Sequence, residues 1–228
     1  MALDLRKKEA AVYNYRKPRG LTIQEIVDAV LEHHHEAKCN GRARIPVLAI
    51  QAIYQCLADE LSRFKGTTLR NPPNRHTGND KKGWIGDIQV DRADKTPFEA
   101  VEVKAGQQIT SSMVWALPAK FRDQAVSRYY ILSTEAVYIA QEELEEVNEA
   151  VREVRQQTGC QVIVNGLNRS LWYYLRMIEN TDLFLEYYTF QVQNDKDTKD
   201  EHRELWATIL ARFNGPEVTL STPPYDML

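Results

Sequence analysis

The chain has 228 residues, 43% of them apolar, and a formal net charge of −3, values that fit one substantial globular domain with a buried core. It contains no apolar run of the ~18 residues a membrane span needs, and its opening, MALDLRKKEA, lacks the apolar stretch of a secretion signal, which predicts a cytoplasmic protein with no membrane partner. The mild acidity excludes a protein that coats nucleic acid through its overall charge, and leaves room for one that engages DNA through a local basic surface. Cys39, Cys56 and Cys160 show no paired close spacing, so they read as reduced thiols and not as a disulfide framework or zinc knuckle.

Residues 1–20 are polar and basic and end in a Pro-Arg-Gly breaker, an N-terminal arm ahead of a single domain over 21–213. Thr22 is placed to cap a helix over Ile23 to Ala37, where Ile23, Ile26, Val27, Val30 and Leu31 fall at helical spacing. Near its end, His33, His34 and His35 diverge by ~100° each and cannot converge on one metal ion, so a solvated helix end is expected. Pro46 fits the first turn of a second helix over Val47 to Phe64. Its apolar stripe passes through Ile53, Cys56, Leu57, Leu61 and Phe64, and Glu60 falls inside that stripe while Asp59 points outward. An acid on such a face needs a partner, whether a salt-bridged arginine or a metal site, unless the helix is simply rotated.

The polar stretch GTTLRNPPNRHTGNDKKG leads to the first clear strand, GDIQVD, and the turn RADKTP joins it to FEAVEVKA in a hairpin. Between Arg63 and Lys82 stand Arg63, Lys65, Arg70, Arg75, Lys81 and Lys82 against Asp80 alone, a basic surface suited to phosphate or simply to water. A helix near Ser111 to Arg128, the strand YYILST, an amphipathic helix from Glu135 to Gln157, the strand CQVIVNG and helical segments from Leu167 to Phe213 follow, then an irregular tail over 214–228. This order predicts an α/β fold with a central mixed β-sheet flanked by α-helices. Helix capping explains Thr110, Ser111 and Ser112, since no His or acid is placed to activate a hydroxyl. The aromatic runs LWYYLRM and FLEYYTF read as core or dimer interface, Trp172 and Tyr187 above all, in preference to a base-stacking platform.

The hairpin carries the chemistry. In FEAVEVKAG, alternation puts Phe98, Ala100, Glu102 and Lys104 on one face and Val101 and Val103 on the other. Centring the turn between Asp94 and Lys95 sets Asp87 opposite Glu102, where Cβ atoms lie ~5 Å apart. Two carboxylates that close repel unless a cation sits between them. Hard oxygen ligands with an open front suit Mg²⁺, which keeps several waters and accepts phosphate oxygens. Lys104 is placed to position or deprotonate a water and to offset charge in a transition state.

GDIQV followed by FEAVEVKAG resembles the hairpin of the PD-(D/E)xK nuclease superfamily, in which an Asp begins one core strand and Glu-x-Lys lies on the next. Asp87, Glu102 and Lys104 match that pattern, with Gly86 standing where the motif has Pro. More narrowly, IPVLAIQAIYQCLADELSRF, the two hairpin strands and RYYILST look similar to restriction endonucleases of the SacI type, over residues 42–135. The resemblance implies a restriction-endonuclease-like core, with Asp87, Glu102 and the Val103 carbonyl as Mg²⁺ ligands, Lys104 assisting the attacking water, and Glu60 as an additional acid from the preceding helix. It also implies a homodimer that cleaves double-stranded DNA at a specific sequence. Arg70, Asn71, Asn74, Arg75, His76, Lys81 and Lys82, just before Asp87, are of the types that grip phosphates or read base edges. A repair or junction nuclease using the same site, and a non-catalytic DNA-binding α/β module in which Glu102 and Lys104 merely pair, are the rival readings.

Overall fold

A computed structural model describes residues 15, 18–36, 40–72 and 83–213. Most of the N-terminal arm, Cys39, the tail over 214–228, and Asn74, Arg75, His76, Lys81 and Lys82 lie outside the described residues.

The elements run in the order α1 (Ile23–Glu36), α2 (Arg44–Glu60), β1 (Thr68–Leu69), β2 (Ile88–Asp91), β3 (Pro97–Lys104), α3 (Ser111–Trp115), α4 (Leu117–Lys120), β4 (Arg128–Ser133), α5 (Leu144–Thr158), β5 (Gln161–Gly166), α6 (Leu167–Leu175), α7 (Thr181–Asn194) and α8 (Asp200–Phe213). The strands form one 5-stranded sheet in the order β1-β2-β3-β4-β5. β1, β2 and β3 pair antiparallel, and β3, β4 and β5 pair parallel, so the sheet is mixed. Each parallel step needs a crossover, and the α3–α4 pair and α5 supply them.

The sheet separates two cores. On one face Ile88, Val90, Val101 and Leu132 pack with α1, α2, α6, α7 and α8; on the other Ala100, Tyr129, Ile131 and Val162 pack with residues of α3, α4 and α5. α2 is buried nearly all round, and its Arg44 is neutralised by Asp195 at 2.6 Å, as an interior charge requires. Thr22 and Glu25 form a reciprocal cap on α1, the Thr22 N–H donating to Glu25 Oε2 (2.8 Å) and the Glu25 N–H to Thr22 Oγ1 (3.2 Å). Cys56 and Cys160 are free, buried thiols, each pushed up to about 12 by burial first of all. Among the described residues no helix is long and apolar enough to cross a membrane.

Several local expectations change. The helix expected over Ser111 to Arg128 is two short helices, with Pro118 at the start of the second and turns from Phe121 onward. The long amphipathic helix begins at Leu144, after a single 3₁₀ turn over Gln141–Glu143, and Gly159 (φ 73°) closes it in the left-handed conformation glycine favours. α2 starts at Arg44 and stops at Glu60, followed by a 3₁₀ turn over Ser62–Phe64. β1 was not expected, because a two-residue edge strand leaves no alternation to read. His33 and His34 are buried instead of solvated: His33 bonds the Tyr188 hydroxyl (2.8 Å) and the His202 carbonyl (2.9 Å), and burial lowers it to about 3. α8 covers the end of α1, a tertiary contact that helical periodicity cannot reveal.

Candidate active site

The hairpin has the pairing its turn predicts. Ile88 pairs with Val101 and Gln89 with Ala100, and the turn closes with Lys95 at φ 67° and the Arg92 N–H donating to the Thr96 carbonyl (2.8 Å). A register shift at Val90 and Asp91 distorts the turn end, and Phe98 packs against Phe64 on the α2 side of the sheet instead of sharing the face of Ala100.

At the far end the ladder starts one residue later than a strict opposition of Asp87 and Glu102 requires. The Asp87 N–H donates to the Val101 carbonyl (2.8 Å), although Ile88 is the partner of Val101, so Asp87 stands as an extra residue where pairing ends. Its carboxylate accepts the Val103 N–H (2.9 Å). Asp87 therefore holds the residues on both sides of Glu102. Gly86 has a steric cause: a Cβ there would lie 2.6 Å from the Val101 carbonyl oxygen, so neither Pro nor Ala fits.

Glu102 is half-buried and ringed by donors. Lys104 Nζ reaches its Oε1 at 2.9 Å, and Lys120 Nζ (2.9 Å) and the Tyr129 hydroxyl (3.1 Å) reach its Oε2. Lys120 also donates to Tyr129 (2.7 Å). Burial opposes ionisation of Glu102, but the Lys120 ammonium and hydrogen bonds from Lys104 and Lys120 outweigh it, and the carboxyl sits below its usual range. The Tyr129 hydroxyl is pushed up, by burial first, then by Glu102, with Asp87 adding to the effect, so both carboxylates act on one hydroxyl. Beside Glu102 and Lys104 opens a cavity of about 240 Å³ walled by Met113, Leu117, Lys120, Tyr129 and Ile131.

The arrangement presents carboxylate oxygens from Asp87 and Glu102, and two lysines lining one cavity with Glu102. Lys120 and Tyr129 were missed by the sequence reading. Tyr129 was in principle legible, because parallel pairing of Ala100 with Tyr129 puts it on the Glu102 face; Lys120 comes from a helix with no local signal pointing to the hairpin.

Other expected residues are placed differently. Glu60 is exposed, not turned into the apolar stripe, because α2 ends there; its carboxylate accepts the backbone N–H groups of Glu179 (2.6 Å) and Asn180 (3.5 Å), ahead of α7. Asp59, expected to need no partner, accepts the Tyr187 hydroxyl (2.7 Å). Arg70 stacks over the Trp84 ring (4.2 Å to its centre) and donates to the Gly83 carbonyl (3.1 Å), with Asp91 3.8 Å away, so it is held against the residues just before β2. Asn71 is exposed. Arg63 turns to the opposite face of the sheet and pairs with Glu99 (2.6 Å). Thr110 makes no side-chain cap; the Ser111 N–H is taken by Glu143 (2.8 Å) and its hydroxyl lies 3.1 Å from Glu146. Trp172 is 37% exposed and does not belong to the core. Among the described residues no group of three or more His, Cys, Asp or Glu is placed to hold a metal ion.

Comparison of the chain with protein-family models and with curated proteins finds no match.

Proposed function

We propose that the chain is a Mg²⁺-dependent type II restriction endonuclease, hydrolysing phosphodiester bonds in double-stranded DNA at a specific sequence, on a restriction-endonuclease-like core and as a homodimer. The observation that carries this reading is the gathering of Asp87, Glu102 and Lys104 at one end of the hairpin, beside a cavity that a second ammonium, Lys120, also faces.

The donor set fits Mg²⁺, which takes one or two carboxylates and leaves its other positions to water and phosphate. Asp87 and Glu102 would hold the ion, with the Val103 carbonyl as the third ligand the resemblance implies. When bound, it supplies Lewis-acid polarisation of the phosphoryl oxygen and a more acidic water. The chain's own groups do the rest. The Val103 N–H fixes the Asp87 carboxylate and Tyr129 fixes Glu102 Oε2. Lys104, with 27% of its side chain exposed, can leave Glu102 Oε1 to hold the attacking water, and Lys120 offsets the negative charge that grows on the phosphate.

One observation favours the rival module without catalysis: both oxygens of Glu102 are already engaged by lysines, as a structural ion-pair network would have them. Supercoiled plasmid incubated with Mg²⁺ separates the readings. The parent is expected to cut and Asp87→Ala and Lys104→Ala to lose cutting; variants that cut as fast as the parent overturn the assignment. A parent that retards DNA yet never cuts with Mg²⁺ or Mn²⁺ supports the module. Discrete plasmid fragments support sequence-specific cleavage, and preferential cutting of branched DNA supports a junction nuclease.

A further inference from the structure

The opposite face of the same sheet holds a second site, separate from Asp87 and Glu102. β3, β4 and β5 form its floor, where cross-strand pairing aligns Glu99 with Arg128 and Gln161, and Val101 with Tyr130 and Ile163. Tyr54 and Leu57 of α2 and Tyr173 and Tyr174 of α6 wall a cavity of about 410 Å³ over that floor, within the range of small-molecule sites. Its rim includes Tyr173, 51% exposed, and Met177, 40% exposed.

At the bottom lies Glu99, 1% exposed. Its local donors all end on one oxygen: Arg63 (2.6 Å) and the Tyr130 hydroxyl (2.8 Å) both donate to Oε1. The Tyr54 and Tyr174 rings meet edge to face nearby, 5.9 Å between centres, and bring no further donor to Glu99. Oε2 is buried and has no hydrogen-bond partner. A buried carboxylate oxygen left without a donor is costly, and Glu99 lines the cavity, which suits a ligand that brings an N–H.

The other walls narrow the ligand. Tyrosine rings offer flat apolar faces to a planar heterocycle. Arg63, whose side chain is 38% exposed, and Arg128 bring guanidinium groups to the same cavity, and guanidinium is the side-chain group best matched to phosphate oxygens. We propose that this pocket binds a nucleoside phosphate, its base between the tyrosine rings with an N–H toward Glu99 Oε2 and its phosphate at Arg63 and Arg128. The source is either a free mononucleotide or an unstacked nucleotide of a strand.

Isothermal titration calorimetry of the full chain with guanosine 5′-monophosphate tests this, guanine being the base with adjacent N–H donors on its pairing edge. Saturable binding is expected, with ribose 5-phosphate at least tenfold weaker, and with Tyr173→Ala and Glu99→Gln each at least tenfold weaker in protein whose circular dichroism matches the parent. Tyr173 is exposed, so its replacement keeps the test open if Glu99→Gln fails to fold. Absence of binding at millimolar nucleotide, equal binding of ribose 5-phosphate, or an unaffected Tyr173→Ala overturns the proposal and leaves Glu99 and Arg63 as a structural ion pair. Displacement of the bound nucleotide by a guanine-containing single strand identifies a polymer as the source, and no displacement identifies the free nucleotide. Cleavage of DNA is scored separately, so a failure here does not count against the nuclease reading, nor the reverse.

Discussion

Glu99 and Glu102 lie three residues apart on β3 and meet opposite environments. Glu99, in the α2 core, is 1% exposed and has one cation, Arg63, on a single oxygen. Glu102, facing α3 and α4, is half-buried with Lys104, Lys120 and Tyr129 spread over both oxygens. The strand is the same and so is the residue type; the number of donors and their access to solvent differ. A carboxylate with two lysine partners can exchange one of them for a metal ion, and the released ammonium can then take a phosphate oxygen. A carboxylate locked to one arginine under aromatic rings cannot change its charge partners, and offers only its remaining oxygen.

Neutralising each acid in turn tests that contrast most strongly. Glu102→Gln should lower Mg²⁺-dependent plasmid cleavage by about 10²–10³-fold, with chemical denaturation showing a loss of no more than about 1 kcal/mol. Glu99→Gln should act chiefly on the fold, removing a charge-assisted bond to Arg63 and costing about 1–3 kcal/mol in urea titrations. If the larger loss of stability belongs to Glu102, the assignment of the two faces is reversed.

Gly86→Ala sharpens the comparison by moving one side of it without altering any charge. The added Cβ would sit 2.6 Å from the Val101 carbonyl, so the chain before β2 must shift and carry Asp87 with it. About 1–3 kcal/mol of destabilisation is expected, together with loss of cleavage while Asp87, Glu102 and Lys104 are all present. Full cleavage by this variant would show that the position of Asp87 is immaterial.

The smallest effect is electrostatic. Glu102 has its folded-state pKa depressed below the ordinary 4.5, despite burial, by Lys120 and Lys104. Its contribution to stability is therefore present above pH 4.5 and is lost as pH falls through the depressed folded value. Lys120→Met removes the larger of the two attractions, and at pH 7 should cost about 0.5–1 kcal/mol for so exposed a pair. The difference from the parent should shrink as the pH falls below 4.5 in paired thermal melts, and a gap that widens in acid contradicts the linkage.

Periodicity and turn chemistry made the hairpin legible: the pairing of Ile88 with Val101 follows from the turn residues, and the mixed sheet from the order of elements. The extra residue at Asp87 was hidden, because a bulge depends on how a ladder ends and not on alternation. Glu60 was misplaced for a related reason. Extending α2 to Phe64 carried its apolar stripe past the real end of the helix, and the acid that seemed to face inward caps the approach to α7. His33 reads as a solvent-side residue until α8, far along the sequence, folds over it. Lys120 reaches Glu102 from a helix that the sequence predicts without any cue to its orientation.

The bond from the Val103 amide to the Asp87 carboxylate gives the molecule a built-in reporter. An amide proton held by a carboxylate resonates according to the charge on that oxygen, so the ¹⁵N–¹H signal of Val103 is expected to move on any cation binding at Asp87 and to shift permanently in Asp87→Asn. A Mg²⁺ titration followed at this single cross-peak tests, without DNA and without turnover, whether the ion proposed above binds at Asp87: a saturable shift supports it, and an unmoved peak contradicts it.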